Sequence, residues 1–586
     1  MNETIGVFVA WPYANGDLHL GHVAGAYIPA DIFARYHRLR GNRVLMVSGS
    51  DSHGTPITVG AERQGVTPRA FFEHFHDRFL TGLRDLGISY DLFTHTDTEN
   101  HWRVSQEIFR SLYEQGHITL QPVQQLYCEV DTRFLPDRYV EGTCPNCGYK
   151  DARGDQCDNC GRTLDATDLI DPRCKLCGAR PVVRETEHFF YDLPKFEARL
   201  LEYINQQEHW RPNVLNFTRN WLQEGLRPRP FSRDIEWGVP VPIEGYEHKV
   251  MYVWIEAVVG YLSASIEWAN NNGQPNAWRD WWFDPSARAY YFMGKDNIPF
   301  HSIIWPSELM GYNSEMNLPY AIPANEFLNL EGQQFSTSRN WAVWLPDYLE
   351  RYAADPLRYY LTAIAPETRD SEFTWAGYVE RNNNELVATW GNLVNRVIAF
   401  ANRHWEGVVQ TPGALDERDR AILSTIASGF EKVGNLYAAT ELRGALREAI
   451  GLAREVNRYL DETSPWFQVK QDKERAATSV YVALCCIDSL KLLLAPVLPH
   501  TSQRVHEFLG YERPLFGDLT IEHYAETERQ HDALVYHPLP EEVTEDRWQP
   551  SQLEPGHPIQ KPTVLFQKLD ESVIEEERAK LGVPAW

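Results

Sequence analysis

No uninterrupted apolar run in this chain reaches the roughly 18 residues that a hydrophobic membrane-spanning helix needs. The first residues carry no basic n-region and no cleavage site, so no secretory signal is read there. A cytoplasmic protein with no membrane partner is the expectation. Positive charge is scarce as well. Lys and Arg number 56 against 81 Asp and Glu, a net charge of −25, which argues against a surface coated for nonspecific nucleic-acid binding and gives no reason to expect DNA as a partner. A local basic track remains open, and binding along it would weaken steeply with salt. The usual phosphate loops are missing at the first turn, which reads neither G-x-x-x-x-G-K-[ST] nor G-x-G-x-x-G. There is no internal repeat. Cysteine is nearly confined to one region between positions 128 and 177; in a large chain without a secretory signal, such clustering means metal rather than disulfides.

What is present is globular material for about two to four domains: 586 residues, 43% hydrophobic, with 19 tryptophans. The organising stretch is residues 9–22. Ile5, Val7, Val9 and Trp11 read as a buried strand, Pro12, Asn15 and Gly16 break it, and a helical period starts at Leu20. Strand, turn and helix open a nucleotide-binding βα unit, whose helix N-terminus offers free N–H groups to phosphate. His19, Leu20, Gly21 and His22 stand where that helix begins. Two imidazoles one turn apart can face one point, and the glycine between them lets a flat ring approach the backbone. Residues 43–47 read as a short buried strand running into a polar loop from Gly49 to Gly54, where a parallel sheet places its ligand. Helices are expected near 68–87 and 100–115, which makes residues 1–115 the first half of an open α/β domain.

Cys144, Cys147, Cys157 and Cys160 form a C-x2-C-x9-C-x2-C zinc knuckle, with Gly148 and Gly161 after its pairs. Cys174 and Cys177, with Cys128 and Asp131 brought back from upstream, offer three thiolates and a carboxylate for a second zinc. One or two structural zinc ions per chain are expected, in an insertion spanning 116–245. The α/β pattern resumes over 246–330, with a strand at 289–293, a turn from Gly294 to Asn297 and a helix at 298–309 carrying His301 and Trp305. Residues 331–375 begin with a hydroxyl-rich loop ending in Arg339. Long amphipathic segments near 376–404, 416–436, 438–461 and 472–498 predict a helix bundle over 376–515. Residues 516–586 read as a proline-spaced acidic tail ending in a short helix near 570–581. The fold class is thus α/β: a Rossmann-type parallel sheet split by a zinc-knuckle insertion, followed by an all-α bundle.

These motifs, in this order, resemble the class I aminoacyl-tRNA synthetases. His19-Leu20-Gly21-His22 is similar to the HIGH signature of that class. The approach from Pro12 to Gly16 and the run from Asp51 to Pro56 resemble the methionine enzymes within it, and the insertion is short, unlike a large hydrolytic editing domain. The resemblance spans roughly residues 4–580. It implies ligation of L-methionine to methionine tRNA through a methionyl-adenylate, with magnesium accompanying ATP. It implies that His19 and His22 act on the ATP phosphates, that Gly21 packs under adenine, and that Gly294 and Asp296 hold the ribose. Asp51 would pair the α-ammonium of the amino acid, with Tyr13, Trp254, Ala257, Tyr261, His301 and Trp305 lining the side-chain pocket. A thioether suits such an aromatic cage. In the bundle, Asn392, Arg396 and Trp466 match anticodon-reading positions, making this the anticodon-binding domain, and Arg233 would support the nucleotide or the tRNA end.

Two departures bear on the chemistry. The second signature of the class, K-M-S-K-S, is here Gln334-Phe335-Ser336-Thr337-Ser338, without either lysine. Some relatives carry an F-S-T-S-R type of loop, so Arg339 with Lys295 is expected to supply the missing charge, beside Ser336 and Ser338 as ATP contacts. Trp11 stands where methionine enzymes usually have a leucine, and the larger ring either reshapes the pocket or packs away from it. The alternatives weighed are a tRNA-binding paralogue that no longer activates amino acid, and an enzyme for a different amino acid. No appended dimerisation domain is visible, so a monomer is expected.

Overall fold

The apolar alternation at positions 5, 7 and 9 produces a strand buried on both faces, as a central parallel strand must be. The computed structural model describes residues 2–136, 139–154, 157, 159–160, 164–337 and 339–583. In it Thr4–Val9 (β1), Arg43–Ser50 (β2), Leu92–His95 (β3), Arg288–Gly294 (β4) and Ala324–Asn325 (β5) form a parallel sheet in the order β5-β4-β1-β2-β3. The chain leaves β1 toward β2 and later returns on the other side of β1 as β4. That reversal opens a crevice at the carboxyl ends of β1 and β4, where ligands bind in such sheets.

Three expectations change here. β2 runs on to Ser50, which shortens the loop behind it, and a helix that the sequence did not predict, Thr55–Gln64, follows Gly54. Gly54 starts that helix with φ 86°, and a Cβ on it would lie 2.9 Å from Val253, so only glycine fits. The stretch after 515 is not a loose tail. Asp518–Ala525 (β6) and Gln530–His537 (β7) form a hairpin that joins the same sheet antiparallel, in the order β3-β7-β6, with Leu534 opposite Phe93. Its largely exposed outer strand, with Asp518, Glu522 and His523, conceals the buried run Ala533–Tyr536 of the inner one. A further helix, Pro499–Phe508, follows the predicted bundle segments.

The insertion is a long antiparallel ribbon, Ile118–Cys128 against Val182–Tyr191, capped by a three-stranded sheet of Val140–Thr143, Ala152–Arg153 and Ile170–Cys174. In the bundle, Asn392–His404, Glu417–Ala438, Leu442–Thr463 and Lys473–Leu494 occur close to where periodicity placed them. Lys473–Leu494 is, among the described residues, the one helix long and apolar enough to cross a membrane by length and composition, yet it is buried inside the bundle. Arg358 joins bundle to sheet domain: fully buried, it donates to Asp31 at 2.5 Å and to the carbonyls of Pro496 and Val497 at 2.9 Å each. The short helix at the end is Ser572–Arg578.

Candidate functional site

At the ends of β1 and β4 lies a cavity of about 520 Å³. Of the residues picked from the sequence, Tyr13, His19, Gly21, His22, Asp51, Trp254, Ala257, Tyr261, Gly294, Asp296 and His301 all line it, from five separate segments. Trp305 does not; it is fully buried one layer behind, donating to the Tyr291 hydroxyl at 3.0 Å.

One end of the cavity is made by the helix start. The His19 and His22 rings stack 3.7 Å apart at 18°. Nδ1 of His19 accepts the Gly21 amide (3.1 Å) and Nδ1 of His22 accepts the His19 amide (3.4 Å). Desolvation holds both imidazoles below their ordinary range, His22 at about 4 and His19 further lowered by its neighbour. With each Nδ1 accepting, each neutral ring carries its proton on Nε2, so the pair presents two N–H donors. Gly21 is required by this packing: a Cβ there would stand 2.9 Å from the His19 ring and 3.3 Å from Phe335. A five-residue π-helical turn, Val23–Tyr27, follows directly, and a second, Phe300–Ile304, carries His301. Such turns are often found at functional sites.

The other end is aromatic and carries one charge. Asp51 is buried and held by the loop after β1, its amide donating to Pro12 at 2.7 Å and its carbonyl accepting from Ala14 at 3.0 Å. Burial, with Glu256 nearby, pushes its carboxyl well above the usual carboxylate range. Among the described residues it has no ion-pair partner; the charge of His53 offsets part of that rise, and the carboxylate accepts the His53 amide at 3.3 Å. Tyr13, Trp254 and Phe300 form a contiguous wall, edge-on at 6.2 Å and tilted at 4.7 Å. Across from them, His301 Nδ1 lies 2.8 Å from the Asn297 carbonyl, which can only accept, so Nε2 accepts the Tyr261 hydroxyl proton at 2.7 Å. Trp11 packs into the wall, against Gly49 and Gly260, where a Cβ would fall 2.3 Å and 2.6 Å from its ring. Two glycines therefore make room for the large side chain.

The loop of 331–339 closes over the histidines. Phe335, not singled out in the sequence, lies face to face on His19 at 4.8 Å and 12°. Ser336 pairs by its backbone with Trp341, and its hydroxyl accepts from Arg339 Nε at 3.1 Å. Ser338 lies outside the described residues. Arg339 makes no ion pair among the described residues. Lys295, by contrast, is held by Glu326 (2.7 Å) and Asp370 (3.0 Å) and is not part of the cavity lining. Arg233 stacks on Tyr252 at 3.7 Å, beside the Trp254 wall.

Both cysteine sets converge. The ligand atoms of Cys144, Cys147, Cys157 and Cys160 all lie within 4.8 Å of one another, and so do those of Cys128, Asp131, Cys174 and Cys177. Sulfurs on one tetrahedral zinc stand roughly 3.8 Å apart. Here Cys147 and Cys157 are separated by 3.6 Å, Cys144 and Cys160 by 4.0 Å, and Cys128 and Cys177 by 3.5 Å. The donor sets fit zinc. In the bundle, Arg396 lies over the Trp466 ring at 4.6 Å, and Asn392 is exposed one turn before it. A third π-helical turn, Asn382–Gly391, precedes them.

Comparison with known proteins agrees with this layout. The family model described as "tRNA synthetases class I (M)" matches residues 5–398, and "Anticodon binding domain of methionyl tRNA ligase" matches 409–546. The methionine--tRNA ligase of Thermomicrobium roseum is 69% identical over 99% of both chains, and that of a Roseiflexus species 54% identical over the same shares. Mycobacterium tuberculosis methionyl-tRNA synthetase, solved in complex with methionyl-adenylate, has a TM-score of 0.76 at 25% identity, covering 97% of this chain and 100% of that one.

Proposed function

This chain belongs to the methionyl-tRNA ligases of the class I tRNA synthetases, and from that premise we propose how its residues divide the work. The reaction activates L-methionine with ATP to methionyl-adenylate and pyrophosphate, then transfers the methionyl group to the terminal adenosine of methionine tRNA with release of AMP. Asp51 carries the reading. This buried carboxylate sits in a cavity walled by aromatics, with no ion-pair partner among the described residues, and the one neighbouring positive charge, on His53, is engaged by Glu256 and Asp97. It is completed by a ligand bearing an ammonium beside an apolar side chain. Tyr13, Trp254, Ala257 and the Tyr261–His301 pair enclose the thioether, with Trp305 supporting them from behind. The carboxylate of methionine then lies toward the histidine end, where in-line attack on the α-phosphorus requires it.

His19 and His22 donate their Nε2 protons to phosphate oxygens as charge builds in the transition state, with Gly21, Gly294 and Asp296 shaping the nucleotide seat. Little acid–base chemistry is needed, so positioning and electrostatic stabilisation supply most of the rate. Arg339, unpaired with any carboxylate among the described residues, takes the place of the missing loop lysines. Lys295 contributes through the cavity edge it holds with Glu326 and Asp370. Magnesium enters with ATP. The cysteine sets hold zinc that orders the ribbon, and Asn392, Arg396 and Trp466 meet unstacked anticodon bases. The enzyme works as a cytoplasmic monomer.

Methionine-dependent ATP–pyrophosphate exchange tests this. Exchange is expected with methionine alone among the amino acids, and Arg339→Ala should slow it by about 10²-fold. Exchange driven by another amino acid, or none at all, overturns the reading.

A further inference from the structure

Behind the cavity wall lies a buried string of charges that the chemistry above leaves unused. Asp97, just past β3, is 1% exposed, and three cationic groups converge on it. Arg69 approaches at 2.7 Å and the His53 ring at 3.7 Å. Arg529 donates to both its carboxylate and, at 3.1 Å, its carbonyl. His53 Nδ1 meets Glu256 at 3.1 Å, and His101 Nε2 meets the same carboxylate at 2.6 Å. Burial opposes charge on His53, but Glu256 and Asp97 hold its ring protonated, up to about 10. The middle of this string touches the amino-acid pocket at two points. The His53 amide is the donor to Asp51, and Glu256 immediately precedes Ala257 on Val253–Asn271, the helix that supplies Trp254, Ala257 and Tyr261 to the cavity.

Arg529 reaches this place from the turn of the C-terminal hairpin, 432 residues along the chain from Asp97. Its guanidinium lies on Trp102 at 3.8 Å. The turn is docked independently of it: the Glu526 carboxylate accepts the amides of Glu99 and Asn100 at 2.7 and 3.0 Å, and Glu99 in return accepts the Thr527 amide at 3.2 Å. Of the two arginines on Asp97, Arg529 is the more buried, its side chain 20% exposed against 37% for Arg69. It is thus the less screened partner of a carboxylate that cannot stay buried without cations. Without it, the cations left at Asp97 are Arg69, more exposed and so more screened, and His53, and the buried His53 ring moves toward that carboxylate, drawing the Asp51 loop away from Glu256 and its helix.

We infer that Arg529 is a positioning residue for methionine: through Asp97 it fixes His53, and so sets Asp51 against the helix that carries the side-chain pocket. This rests on the reading of the cavity as the methionine site. Among the described residues no hydrogen bond or ion pair links the nucleotide end to the string, so the consequence falls on one substrate.

The test is steady-state ATP–pyrophosphate exchange by the full chain and by Arg529→Gln, Arg529→Lys and Glu526→Gln. Arg529→Gln should raise the KM for methionine by about five- to tenfold, with the KM for ATP within about twofold of the parent. Arg529→Lys, which keeps the charge but not the planar fork on Trp102, should raise it by only about two- to threefold. Glu526→Gln should lower the thermal midpoint and leave both KM values in place, because it loosens the hairpin without touching Asp97. If Arg529→Gln does not accumulate folded, the lysine variant decides: a rise confined to methionine supports the inference, and no rise overturns it. Equal rises in both KM values, or the same methionine defect in Glu526→Gln, would mean that the hairpin is merely structural and overturn the inference. A parent enzyme without methionine-dependent exchange would instead overturn the reading beneath it.

Discussion

At the residue scale, the role proposed for Asp51 rests on a buried carboxylate left without an ion-pair partner among the described residues. The folded chain holds the Asp51 proton more tightly than the unfolded chain does, because burial and Glu256 disfavour the carboxylate. Over the pH range from the ordinary carboxylate value up to that raised value, the native state therefore binds more protons, and stability falls as pH rises. Ionising this carboxyl in the empty cavity is destabilising, and an ammonium beside it would offset that cost. Asp51→Asn should accordingly raise the thermal midpoint of the ligand-free protein while raising the methionine KM by roughly 10²-fold or more. Lowering pH through the Asp51 transition should weaken methionine binding in the parent and not in the variant. A variant that loses stability and keeps its KM would show the group to be structural. Trp11 is the opposite case: a residue that looked ambiguous in the sequence is settled into the wall by two glycines, at positions 49 and 260, which no local pattern connects to it.

At the element scale, the ribbon of Ile118–Cys128 and Val182–Tyr191 explains the second cysteine set. Register places Tyr127 opposite Val182, so Cys128 and Asp131 turn back beside Cys174 and Cys177. The first knuckle was legible because its four ligands follow one local spacing. The second is divided by more than forty residues; its four candidate ligands were named from the sequence, and strand pairing is what brings them together. Metal analysis of the purified chain should find two zinc ions per molecule. Chelation should lower the melting temperature and slow tRNA charging, while leaving methionine-dependent exchange near its starting rate, since the ribbon lies outside the cavity lining. A metal-free protein of unchanged stability would remove zinc from the account.

At the scale of the whole molecule, the cavity and the residues proposed to read tRNA lie on the sheet domain and the helix bundle, which buried contacts join. Arg358 ties the helix bundle to the sheet domain through Asp31 and two bundle carbonyls, and the C-terminal hairpin returns to the edge of the catalytic sheet. Asn392, Arg396 and Trp466 stand on the bundle, apart from the cavity. Trp466→Ala should therefore reduce kcat/KM for tRNA charging by about ten- to hundredfold, the range of lost base stacking, with exchange unchanged. Loss of both activities would assign Trp466 to the core, where its contact with Phe400 at 5.1 Å already places one face.

The division between what was legible and what was not follows sequence distance. Local patterns alone determined β1, the histidine pair at the helix start, the four-cysteine knuckle and the long helices, because each rests on periodicity or spacing within a few turns of chain. The hairpin of β6 and β7 was hidden, since an edge strand with a polar face is stabilised by its neighbour rather than by its own composition. Which aromatic faces the cavity and which stands behind it, as Trp254 does and Trp305 does not, is decided by helix rotation against the sheet. Arg529 beside Asp97 is decided by the last hairpin docking on the first domain. Charges and rings that meet across hundreds of residues acquire their roles only when the burial of the intervening chain brings them together.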